Sequence, residues 1–361
     1  MSKLFQEFRL KDVVLRNRIA VSPMCQYSSD NGFPNDWHFV HLGSRAVGGA
    51  GLVIVEATAV TPEGRISPGD SGIYLDDHVE AFSRITGFLK QHGAVPGIQL
   101  AHAGRKASTS KPWEGNKHID SDKGGWDVIA PSAVAFGGNL PKVPHEMSVK
   151  DIARIQDAFV AAAKRALAAG FEWLELHYAH GYLAHEFYSP LANFRTDQYG
   201  GNFENRTRFL LETLTAVRKV WPERFPLTVR LSVTDWTDDG VTVDDSIQLV
   251  RRMKDAGLDL IDVSHGSVTP DISKIPWGPG FMVPAASRIR NEVGIPTAVG
   301  WQITGPQQAE EIIRDQHADM VLLAREMLRD PYWPYHAALE LNDEKAQDLL
   351  PVQYARAVKK R

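Results

Sequence analysis

Eight short apolar runs recur along the chain: Arg18–Met24, Leu52–Ala57, Val95–His102, Trp173–Ala179, Pro226–Val233, Leu258–Gly266, Ile295–Gln302 and Ala318–Arg325. Between them lie stretches with helical spacing, among them Ser148–Gly170, Asn205–Trp221, Asp244–Gly257 and Gly305–Gln316. Runs of this length suit buried strands, and strands alternating with helices build parallel βα units. Eight such units are the number that closes a sheet on itself. The expected fold is therefore α/β, a single eight-stranded (β/α)8 barrel occupying residues 1–361. At 361 residues the chain is long for one domain, but barrels with insertions reach this size. The rival, an open doubly wound sheet, would carry G-x-G-x-x-G after its first strand, and none stands there.

Ser148–Gly170 shows the helix signals well. Ser148 is placed to cap, Asp151 lies in the first turn, and Gly170 closes the segment. Ile152, Ile155, Phe159 and Ala163 fall at three- and four-residue steps. Arg105–Pro144 instead contains Lys111-Pro112-Trp113-Glu114-Gly115 and further Gly and Pro, and reads as a long excursion after the third strand, a partial lid over the barrel mouth.

Composition narrows the function. The formal net charge is −4 and no long Lys/Arg run occurs, which argues against nucleic acid or an anionic membrane as partner. A single cysteine, Cys25, cannot make an internal disulfide, an iron–sulfur cluster or a zinc ribbon. Met1-Ser2-Lys3-Leu4-Phe5-Gln6 lacks the apolar stretch of a signal peptide, and no run of 18 apolar residues exists. The expected compartment is the cytoplasm.

In a β/α barrel the site sits at the C-terminal ends of the strands. Those ends carry Ser22-Pro23-Met24-Cys25-Gln26-Tyr27, Glu56-Ala57-Thr58, Gln99-Leu100-Ala101-His102, His177-Tyr178-Ala179-His180-Gly181-Tyr182, Arg230, Gly300-Trp301 and Ala324-Arg325. Loops after the last two strands commonly bind phosphate, so Gly300 is read as a place of close backbone approach and Arg325 as a phosphate fork. Arg230, mid-strand, is costly without a partner, and the electron-rich N1 and C2 oxygen of a flavin would supply one. His177 and His180 suit a zinc site, the alternative being a metal-dependent barrel hydrolase or lyase, but no third ligand has convincing spacing and no metal is expected. The favoured reading is two donors aimed at one carbonyl oxygen, with Tyr182 placed to deliver a proton.

The stretch from His177 through Tyr182, Leu183-Ala184-His185-Glu186-Phe187-Tyr188-Ser189-Pro190, Asn193, Arg195-Thr196-Asp197, Tyr199-Gly200-Gly201, Glu204-Asn205-Arg206 and Arg208-Phe209 resembles the signature of the old yellow enzyme family. The resemblance runs from Leu10-Lys11-Asp12 and Arg16-Asn17-Arg18-Ile19 to the C-terminus. Pro23-Met24-Cys25-Gln26-Tyr27, Asn35-Asp36-Trp37-His38 and His102-Ala103-Gly104-Arg105-Lys106 are similar to the bacterial YqjM-type and xenobiotic reductase A-like branch. The cluster-bearing branches of the family need several cysteines, so one cysteine excludes them.

The resemblance implies FMN as cofactor, NADPH or NADH as hydride donor, and activated alkenes as small-molecule substrates. It implies a flavin shell of Ser22, Pro23, Met24, Cys25, Ala57, Gln99, His177, Arg230, Gly300, Trp301, Ala324 and Arg325. His177 and His180 would hold the acceptor's carbonyl oxygen, Tyr182 would protonate its α-carbon, and Cys25 would tune the flavin. Tyr27, Ile66 and Trp301 would wall the substrate pocket. A homodimer or homotetramer is implied, with the tail 340–361 reaching a neighbouring subunit and Arg356 entering its site. Ala324 departs from the glycine usual in this branch, which is tolerable if φ stays negative.

Overall fold

The computed structural model describes residues 2–358. Eight strands form a closed barrel: β1 (Ile19–Val21), β2 (Leu52–Ala59), β3 (Val95–Ala101), β4 (Trp173–Tyr178), β5 (Leu227–Ser232), β6 (Leu260–Ser264), β7 (Thr297–Val299) and β8 (Met320–Leu323). Each pairs in parallel with its sequence neighbours, and β8 returns to β1 with Leu322 opposite Ala20. Closure leaves no exposed sheet edge. The strands are shorter than several of the apolar runs, because those runs continue into the loops at the barrel mouth.

The connecting helices include α1 (Asp36–Val47), α2 (His78–Gln91), α3 (Val149–Ala168), α4 (Leu183–Tyr188), α5 (Phe203–Arg218), α6 (Val243–Asp255), α7 (Val283–Ile289) and α8 (Pro306–Arg314). The start of α3 follows from its sequence. Ser148 accepts from the Asp151 N–H while Asp151 accepts from the Ser148 N–H, a reciprocal capping box. The buried residues of α3 are Ile152, Ile155, Phe159, Ala162, Ala163 and Ala166, the apolar stripe expected from the spacing. None of the helices among the described residues is long and apolar enough to cross a membrane. Between β3 and α3 the chain makes short 3₁₀ turns at Gly104–Lys106, Pro112–Glu114 and Ser121–Lys123, and pairs Ile129–Ala130 with His145–Glu146.

Strand periodicity sorts the side chains. Ile19, Val21, Val53, Val55, Leu174, Leu176, Val229, Leu231, Ile261, Val263, Val321 and Leu323 point outward into the core shared with the helices. The alternate residues Ala20, Leu52, Ile54, Trp173, Leu260, Ala298, Met320 and Leu322 fill the lower barrel interior together with Phe8, Val13 and Leu15. Those last three come from an N-terminal hairpin, Phe8–Leu10 paired with Val13–Leu15, which plugs the floor.

Candidate active site

Two residues further along each strand, the same inward face turns polar. Trp173 is followed inward by Glu175 and His177, Leu260 by Asp262 and Ser264, Ala20 by Ser22, and Ala298 by Gly300. The barrel thus rises from an apolar floor, through a buried charged layer, to a mouth lined with imidazole, hydroxyl and guanidinium groups.

In the charged layer Gln99 Nε2 donates to Glu175 Oε1 at 2.8 Å, and Arg230 Nη1 donates to Ser22 Oγ at 3.0 Å. Arg230, for which the sequence offered only a flavin as partner, also has a carboxylate beside it. Its Nε lies 3.1 Å from Asp262 Oδ2, directly across the β5–β6 pair, although off the line of a good hydrogen bond. Burial raises the Glu175 and Asp262 carboxyls above their ordinary range, in both cases against the pull of Arg230.

At the mouth, His177, His180 and Tyr182 come together. The His177 ring centroid is 5.0 Å from that of His180 and 5.0 Å from that of Tyr182, edge-on to both. The loop between them is held in an uncommon shape, with φ +61 at His180 and +72 at Gly181. Its amides are all placed: Ala179 N–H on His177 Nδ1, His180 N–H on Ser232 Oγ, Gly181 N–H on His185 Nδ1. His185 Nε2 in turn approaches Asp235 Oδ1 to 2.9 Å in the fully buried interior. His180 Nε2 lies 2.6 Å from Ser264 Oγ, and that oxygen accepts from Trp301 Nε1–H at 2.9 Å. Burial, reinforced by Arg230, holds both His177 and His180 well below the usual imidazole range, so they are neutral at pH 7.

Two cavities flank this trio. The first, about 550 Å³, is lined by Ser22, Pro23, His180, Arg230, Gly300, Trp301, Ala324 and Arg325, together with Gln302–Thr304 and Arg329. The second, about 510 Å³, is lined by Tyr27, Ile66, Lys106 and Tyr182, and on its far side by Pro112, Phe136 and Leu140 from the β3–α3 connection. Cys25 packs with Tyr27, Tyr182, Ile66 and Ala103 beside the second cavity, and burial, followed by the charges of Asp70 and Glu56, pushes its thiol well above the usual range. Ala57, Gln99 and His177 are buried and line neither of these two cavities, and Met24 is partly buried. Arg356 is exposed and lines neither cavity, and residues 359–361 of the tail lie outside the described residues.

The first cavity suits FMN. A β-carbon at Gly300 would sit 2.8 Å from the Leu322 carbonyl oxygen, so bare backbone lines the cavity there. Arg325 has no carboxylate partner within 4.0 Å among the described residues, which leaves its fork for a phosphate. Ala324 has φ −103, so its methyl group is carried without strain. No group of three or more His, Cys, Asp or Glu among the described residues is arranged to hold a metal ion.

Sequence reasoning did not anticipate Ser264, Asp262, Glu175, Lys106 or the His185–Asp235 pair. Parity along β4 and β6 would have flagged the first three as inward-facing. Lys106 Nζ donates to the His180 carbonyl at 2.8 Å and lies over the Tyr182 ring, contacts that only the folded chain reveals.

Known proteins share this sequence pattern and this fold. The profile of the NADH:flavin oxidoreductase / NADH oxidase family matches residues 3–344. An NADPH dehydrogenase of Geobacillus thermodenitrificans is 48% identical over 355 residues, 98% of either chain. Among solved structures, the old yellow enzyme homologue from Zymomonas mobilis superimposes with a TM-score of 0.77 at 26% identity, covering 94% of this chain and 93% of that one. A 2-naphthoyl-CoA reductase shares the fold at a TM-score of 0.85 and 24% identity, this chain covering 53% of its length. The chain belongs to the NADH:flavin oxidoreductase / NADH oxidase family and is an FMN-dependent, NAD(P)H-linked oxidoreductase of the old yellow enzyme type.

Proposed function

We propose that the protein is an ene-reductase, which reduces the carbon–carbon double bond of α,β-unsaturated carbonyl compounds, and of nitroalkenes, with NADPH or NADH as electron source. The observation that carries this reading is the cluster of His177 with His180 and Tyr182, each ring perpendicular to that of His177, between two cavities, one fit for a flavin and one for a small acceptor. When bound, FMN supplies hydride transfer, taken from the nicotinamide and passed to the β-carbon of the acceptor.

The protein's own residues do the rest. His177 Nδ1 accepts the Ala179 N–H, so the ring proton is on Nε2, free to donate to a carbonyl oxygen. Ser264 already accepts from Trp301, and its own hydroxyl hydrogen suits His180 Nε2, which leaves the His180 proton on Nδ1 as a second donor. Two neutral donors on one oxygen draw electron density from the β-carbon without carrying a charge into the site. Tyr182 stands beside them with its phenol held protonated by burial, as a proton donor to the α-carbon must be. Tyr27 and Ile66 shape the acceptor's space, Trp301 walls the flavin cavity beside His180, and Arg325 with Gly300 holds the cofactor phosphate. In a homodimer or homotetramer the exposed Arg356 would reach a neighbour's mouth.

Rapid-mixing kinetics on Tyr182→Phe test the proposal. Reoxidation by cyclohexenone is expected to slow on the order of 10²-fold, while reduction by NADPH stays within about twofold. An equal loss in both half-reactions would remove Tyr182 as the proton donor.

A further inference from the structure

Glu56, at the register shift in β2, and the Asn35 cap and first turn of α1 take no part in the site as described, yet they converge on the Cys25–Tyr27 segment. Glu56 is 3% exposed. Its Oε2 accepts the Gln26 N–H, the amide between Cys25 and Tyr27, at 2.7 Å, and its Oε1 accepts Ser71 Oγ–H at 2.9 Å. His38 Nδ1 accepts the Asn35 N–H, so the ring proton is on Nε2, which faces Ser29 Oγ at 3.3 Å and Glu56 Oε1 at 3.4 Å. Tyr27 has φ +53, and a β-carbon on neighbouring Gly69 would lie 2.4 Å from the Tyr27 carbonyl oxygen. A residue in that conformation persists only where its surroundings over-determine it.

We propose that Glu56 is a positioning residue for the Cys25–Tyr27 segment, holding the amide between the two and setting a negative charge against the Cys25 thiol. The inference rests on the reading that Cys25 and Tyr27 face the reacting molecules. The same arrangement recurs next door, where Asp70 accepts the Ile66 N–H and Ser67 Oγ–H, each at 2.8 Å. The titratable groups facing Cys25 are thus Glu56, Asp70, Tyr27 and Tyr182, and both carboxylates favour thiol over thiolate. The holding and charging roles of Glu56 are separable by chemistry. Glutamine keeps the reach and an acceptor oxygen but loses the charge, whereas aspartate keeps the charge and is one methylene too short.

The experiment measures two quantities on the FMN-loaded enzyme: the rate of iodoacetamide alkylation at pH 8, where Cys25 is the chain's one cysteine, and KM for cyclohexenone. E56Q is expected to alkylate about fivefold faster with KM within about twofold of wild type, because a lost negative neighbour favours thiolate. E56D is expected to raise KM about tenfold through a loosened Tyr27, with alkylation below that of E56Q. Unchanged alkylation in E56Q, or a wild-type KM in E56D, overturns the proposal. If E56D does not fold, the E56Q alkylation rate decides alone. If the wild type reduces no enone, the ene-reductase reading fails while the alkylation comparison still judges Glu56.

Discussion

Glu186 in α4 shows how the interior alters single groups. It is fully buried, accepts the Arg105 N–H at 2.9 Å through Oε1, and leaves Oε2 without a partner. Burial pushes its carboxyl up to about 8, against the opposing charges of Arg105 and Lys106. In the unfolded chain a glutamate titrates near ~4.3. The folded state therefore holds a proton that the unfolded state gives up between these values, and stability falls as pH rises through that window. Glu186→Gln cannot titrate, so its melting temperature relative to wild type should climb by about 2–4 °C between pH 5 and pH 8.5. A difference that stays flat with pH would show that Glu186 is already charged in the fold. The motif containing Glu186 was legible in the sequence. Its protonation was not, because burial among Gly104, Arg105 and Lys106 is a property of the packed loops.

At the scale of elements, the loop joining β4 to α4 carries the chemistry and the strain. A β-carbon at Gly181 would stand 2.0 Å from the Ser267 carbonyl oxygen, with φ +72 besides. Backbone faces backbone there, so no rotamer change relieves the contact. Gly181→Ala should cost about 2 kcal/mol or more in stability and on the order of tenfold in kcat/KM for an enone, measured by thermal unfolding and steady-state kinetics. Ser148→Ala, by contrast, removes only the cap of α3 and should cost about 1 kcal/mol with activity unchanged. The α3 cap could be read from local sequence because both partners lie within four residues. The Arg230–Asp262 contact could not, because those residues are brought together by the parallel register of β5 on β6, which no local pattern announces.

For the whole molecule, the barrel separates stability from function along its axis. The floor is apolar and plugged by the N-terminal hairpin, while the mouth is polar and open to the two cavities. Leu15 is fully buried in that floor. Leu15→Ala should lower stability by about 2–5 kcal/mol, read from denaturant unfolding. Activity per flavin-loaded, folded molecule should stay within about twofold, and a larger loss would mean that the floor and the mouth are mechanically coupled.

By itself the sequence determined the number of barrel strands, their alternation with helices, the residues at their mouth ends and the family to which they point, but not the N-terminal hairpin that plugs the floor. These are local matters: side-chain period, cap and turn chemistry, and a long motif written in consecutive residues. Only the tertiary structure decided which polar groups meet: Ser264 with His180 and Trp301, Asp262 with Arg230, Glu56 with the amide between Cys25 and Tyr27. Such pairings depend on barrel closure and strand register, which bring together side chains tens of residues apart, and at those separations the entropy of the chain erases any local trace.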